Sequence, residues 1–100
     1  MSKNTNNTNI YTIPVVGSIQ VEKNQPKPEL QTLQAKVGGL IEYVYGTTLS
    51  KQRGVDVIAN EEGIILGLPL NIAATVLLKT KLFGPVVIVD NRSDKSKNLF

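Results

Sequence analysis

Apolar residues change rhythm several times along the chain, and each change marks an element. Residues 1–9 (MSKNTNNTN) carry no apolar residue after Met1. A stretch with nothing to bury reads as a disordered tail. Ile10 to Val21 is rich in β-branched residues and is broken by Pro14 and Gly17. It predicts two short strands or one bulged strand, with Ile13, Val15, Ile19 and Val21 alternating as in a half-buried strand. Lys23 to Lys27 (KNQPK) reads as a turn or linker. Pro28 then opens a helix, where its missing N–H costs little. Leu30, Leu33 and Val37 recur at three- and four-residue spacing and give that helix one apolar face. Gly38-Gly39 ends it.

Leu40 to Tyr45 has strand composition, with Ile41, Tyr43 and Tyr45 on one face and Leu40, Glu42 and Val44 on the other. Thr47 to Gly54 is a polar loop. Val55 to Asn60 reads as a strand, Asn60 to Gly63 as a tight hairpin turn, and Ile64 to Leu66 as the returning strand. Gly67 to Asn71 leads into a second helix capped by Asn71. Leu70, Ala73, Ala74, Leu77 and Leu78 supply that helix's core face. Gly84-Pro85 stops the helical region. Val86 to Val89 is a continuous apolar run of the kind found inside a sheet. Asn91 to Phe100 is a polar tail until Leu99-Phe100. The expected order β(β)-α-β-β-β-α-β defines an α+β domain over residues 10–90: a small, mainly antiparallel sheet with two helices packed on one face.

Composition narrows the chemistry. The 100 residues include no cysteine and no histidine. A zinc site of the usual kind, a thiolate nucleophile and every histidine-based triad lack their residues. The expectation is therefore a protein that is not an enzyme, with no catalytic set, metal or cofactor. The net charge is +3, and the cations are scattered: Lys51 and Arg53 in one loop, Lys79 and Lys81 after the second helix, and, nearest to a cluster, Arg92, Lys95 and Lys97 in a tail diluted by Asp90 and Asp94. Nucleic-acid binders concentrate cations on one face, so nucleic acid is not the expected partner. No apolar run approaches the ~20 residues that span a bilayer. The polar N-terminus fits no secretory signal. A soluble, cytoplasmic protein is the expectation.

Four sets of residues are candidates for chemistry or binding. Glu42 sits in an otherwise apolar strand, where a carboxylate could work as a base or simply face solvent. Asn60, Glu61 and Glu62 could offer oxygens to a cation, but a turn offers fewer than calcium takes. Gly67, Asn71 and Thr75 surround a helix start, where backbone N–H groups favour an anion. The alternative there is a cap, plus a threonine bonded to its own helix. Tyr11, Tyr43 and Tyr45 are the aromatics that could stack bases or serve as packing residues.

The runs Val37-Gly38-Gly39-Leu40-Ile41-Glu42, Asn60-Glu61-Glu62-Gly63, Gly67-Leu68-Pro69-Leu70-Asn71-Ile72-Ala73-Ala74-Thr75 and Gly84-Pro85-Val86-Val87-Ile88-Val89 resemble an uncharacterised family. That family is numbered 3846 among the domains of unknown function and occurs in phages, plasmids and large DNA viruses. The resemblance covers about residues 28–90. Pro85 stands where the family pattern has aspartate, so no role for an acid carries over there. The resemblance implies a small accessory protein of a mobile element, acting in the host cytoplasm if viral. It implies no reaction. Binding of a protein partner or of its own copies is the leading expectation. A phosphorylated-nucleotide ligand captured around Gly67, Asn71, Thr75, Glu42 and Asn60, with a counter-defence role, is the alternative. Weak nucleic-acid binding through Lys51, Arg53, Lys79 and Lys81 is the third.

Overall fold

A computed structural model describes residues 7–96 and 98–100. Five strands and two helices follow in the order β1 (Thr8–Ile13), β2 (Gln20–Gln25), α1 (Leu30–Val37), β3 (Ile41–Tyr43), β4 (Val55–Asn60), α2 (Ile72–Leu78) and β5 (Val86–Asp90). The strands form one sheet in the order β2-β1-β5-β4-β3. All neighbours are antiparallel. The α+β class and the antiparallel sheet are as the sequence predicts, and β5 lies at the sheet's centre.

The helices do not share a face. Leu33 and Val37 of α1 pack with Ile10, Ile58, Val87 and Val89. Ala74 and Leu78 of α2 pack with Ile13, Val55, Val57, Val86 and Ile88. The cause is visible in β5, where all five residues are buried. Successive side chains of a strand point to opposite faces. An unbroken apolar run in mid-sheet therefore needs cover on both sides, and one helix supplies each.

The expected strand at Ile64 to Leu66 is absent. β4 already pairs with β3 through Ile41↔Asn60 and with β5 through Val57↔Ile88, so neither edge is open to a returning strand. The chain instead coils into turns, with Leu66 N–H donating to Glu62 O at 2.8 Å and Leu68 N–H to Gly63 O at 2.9 Å. β2 also departs from expectation. It runs on through Lys23 to Gln25, and it is exposed on both faces except for half-buried Gln25. Ile19 and Val21 are accordingly solvent-facing, and so is Leu30 on α1.

The ordered body is longer than residues 10–90. β1 begins at Thr8, whose hydroxyl donates to Gln25 O. At the other end, Leu99 joins the α2-side core, and the Phe100 ring meets Tyr11 edge-on at 5.3 Å. The part of the expected disordered tail at residues 1–6 lies outside the described residues. Both helix caps form as the sequence predicts. Gly38 ends α1 in the left-handed conformation, at φ 80°, and Asn71 caps α2 by accepting from Ala74 N–H.

Candidate functional site

β4 ends at Asn60, and the chain then turns back beside the 81–83 segment. Between them lies a cleft of about 400 Å³, lined by Glu42, Asn60, Glu61, Ile64, Ile65, Lys81 and Phe83 among others. Four of the residues singled out from sequence therefore meet there: Glu42, Asn60, Glu61 and Lys81. Asn60 is buried and structurally committed. Its amide donates to Val37 O at 3.1 Å, and its Oδ1 accepts from Glu62 N–H at 2.7 Å. Glu42 faces Ala59 across β3–β4 and is exposed.

Gly67, Asn71 and Thr75 do not line this cleft. Asn71 is fully buried. Its amide donates to Ile13 O and to Gly84 O, both at 2.9 Å, while its Oδ1 accepts from Ala74 N–H at 3.0 Å. Both N–H groups of the amide are thus used within the protein. Thr75 Oγ accepts from Leu82 N–H at 3.2 Å. The Gly67 amide donates to Ile64 O. The Asn71 and Thr75 side chains hold α2 to β1 and to the 82–84 segment, while the Gly67 amide is spent within its own turn.

Lys51 and Arg53 are exposed in the loop before β4. Thr48 in that loop donates its hydroxyl to Leu77 O at 3.3 Å, so the loop lies against the C-terminal end of α2. Lys79 ends α2 in the left-handed conformation, at φ 58°. Lys81 stands in the cleft with Glu42 and Glu61, two carboxylates against one ammonium. Among the described residues, no group of three or more His, Cys, Asp or Glu could hold a metal. No helix there is long and apolar enough to cross a membrane.

Two features escaped the reading of the sequence. The first is a set of exposed apolar side chains between Ile64 and Val76. Ile64, Ile65 and Leu66 are 75%, 83% and 54% exposed, and Ile72 and Val76 on the outer side of α2 are 67% and 71% exposed. The clue in the sequence is the absence of any charge from Gly63 to Leu78. A helix that buries one face does not need that. The second is the buried ion pair at the end of β5. Asp90 is completely buried. It accepts from Arg92 Nε and Nη2, both at 2.9 Å, and from Arg92 N–H at 3.1 Å. The bond to Asp90 holds the Arg92 guanidinium above its ordinary range, with the carboxylate charge adding to the effect. The pair stands beside a second cavity, of about 350 Å³, whose walls include Tyr11, Lys23, Lys95 and Phe100.

A small antiparallel sheet covered by one helix on each face, with an amphipathic cleft and an apolar surface left open, defines a compact α+β protein. The family described as a domain of unknown function, DUF3846, matches over residues 9–99, and the chain belongs to it. The match extends the resemblance seen in residues 28–90 to include β1 and β2. No curated protein and no solved structure matches the chain.

Proposed function

We propose that the protein is a non-enzymatic accessory protein that acts by binding a protein partner or its own copies. The observation that carries this reading is the surface from Ile64 to Val76. Six apolar side chains in this stretch (Ile64, Ile65, Leu66, Leu70, Ile72 and Val76) are each at least 38% exposed. Exposed apolar side chains scattered singly are ordinary, but a concentration of them marks an interaction surface. The backbone bonds of the 62–68 turns fix the first three in place, so little ordering entropy is lost on binding. The lack of cysteine and histidine supports a role without catalysis. The context suggested by the family resemblance supports a phage, plasmid or viral origin, with action in the host cytoplasm.

The test is light scattering over a range of concentrations, paired with a pull-down from host lysate using wild type and the double variant Ile65→Asp, Val76→Asp. Both positions are exposed, so the variant is expected to fold with stability within about 0.5 kcal/mol of wild type. The expected result is a complex, with itself or with a captured protein, that the variant loses. A wild type that stays at 10.9 kDa throughout and captures nothing overturns the reading.

A further inference from the structure

We infer that the cavity between β2 and the C-terminal segment is a binding site for a nucleoside monophosphate. The α2 side of the sheet edge builds it. Val21 lies across from Tyr11 in the β1–β2 ladder, and Lys23 follows two residues on, on the same face. The C-terminal segment closes the other side with Arg92, Lys95 and Phe100.

The chemistry of the walls is one-sided. Three cationic side chains line the cavity and no acidic side chain does. Arg92 is held by Asp90 beneath it, so Lys23 and Lys95 are the cationic side chains left to meet an anion. Lys95 Nζ donates to Arg92 O at 2.6 Å and to Asn7 O at 3.1 Å. These two bonds fix the ammonium in place and use two of its three donors. The third suits a phosphate oxygen. Phe100 meets Tyr11 edge-on, with the ring planes at 85°, and remains 50% exposed. The exposed part of Phe100 is where a base would stack. A volume of about 350 Å³ falls in the range of small-molecule sites. Channels for single strands present aromatics to successive bases. Here one aromatic pair lines the site, which favours one nucleotide over a strand. The helix-start residues suggested by sequence for such a ligand take no part, and none of the cavity's residues belongs to the Ile64–Val76 surface.

Calorimetry with AMP, GMP and UMP tests the inference, with adenosine, inorganic phosphate and a ten-residue oligothymidylate as comparisons. The expected result is binding of at least one monophosphate, weakened about tenfold in each of Lys23→Ala, Lys95→Ala and Phe100→Ala. Lys23 is exposed on an edge strand, so its variant keeps the fold and separates lost binding from lost structure. No binding of any monophosphate at about 5 mM, in the weak-affinity regime, overturns the inference. So does adenosine binding as tightly as AMP, phosphate alone binding as tightly as AMP, or the oligonucleotide binding more tightly than any monophosphate.

Discussion

Replacing Asn71 by alanine removes three hydrogen bonds from a place that water does not reach. The side chain is fully buried and ties together α2, the last residue of β1 and the turn before β5. Loss of the cap costs about 1 kcal/mol. The carbonyls of Ile13 and Gly84 lose a donor, at about 1–2 kcal/mol each where no water takes its place. The sum is about 3–5 kcal/mol, set against a total stability of about 5–15 kcal/mol for a domain of this size. Each kcal/mol lowers the melting temperature by about 4–8 °C, so a fall of at least about 12 °C is expected. Urea unfolding followed by circular dichroism reads the free energy directly. Asn71→Ser retains a cap oxygen without the two amide donations and is expected to fall between wild type and Asn71→Ala. Asn71→Asp also retains the cap, but places a carboxylate against two carbonyl oxygens and is expected to do worse than serine. An alanine variant within about 1 kcal/mol of wild type refutes the reasoning, because the buried bonds would then be replaceable.

Arg92→Ala strands the fully buried Asp90 carboxylate and is expected to destabilise by about 3–5 kcal/mol in chemical unfolding. The raised Arg92 value means that the guanidinium's contribution is present below its ordinary range and is lost only as pH rises through the folded value. The penalty in Arg92→Ala is therefore expected to be constant between about pH 6 and 10, where an arginine stays charged. Asp94 is held below its ordinary 3.8 by the Ser96 hydroxyl, then by the Ser96 amide. Its contribution is present above 3.8 and fades as pH falls through the lowered folded value. Carbon-detected NMR titration is expected to find a low midpoint, and Ser96→Ala is expected to move that midpoint back up.

How far the fold could be read from sequence depended on whether the signal was local. β4 was legible to the residue, because Val55 to Asn60 is bounded by Gly54 and by the Asn60 turn. The α2 cap was legible because Asn71 acts on its own helix. Ile64 to Leu66 has the composition of a strand, yet strand formation needs a free edge, and both edges of β4 are taken, one by the preceding strand β3 and the other by β5 from beyond α2. The placement of α1 and α2 on opposite faces was encoded in the unbroken Val86–Val89 run. Reading it required treating the run as two buried faces rather than one. At the sites, Glu42, Asn60, Glu61 and Lys81 converge on one cleft. Asn71 and Thr75 are consumed by contacts with Ile13, Gly84 and Leu82 that no short-range spacing reveals. The cavity beside Phe100 joins residues about 80 positions apart in sequence, Tyr11 with Arg92 and Lys95, and long-range closure of that kind leaves no local motif.

A strand that is buried on both sides has a cost in alignment. Where one face is wet, a one-residue slip turns apolar side chains into water and is punished at once. In β5, Val86 to Val89 are apolar at every position, so such a slip exchanges one aliphatic side chain for another and meets little resistance from the core. The information that sets the alignment has to sit at the two ends of the run. At one end Asn71 grips the carbonyls of Ile13 and Gly84 together. At the other, Asp90 lies opposite Val55 and Asn9 and is clamped by Arg92. These polar anchors index the central strand, so their loss is expected to blur which residue faces which before it loosens the sheet.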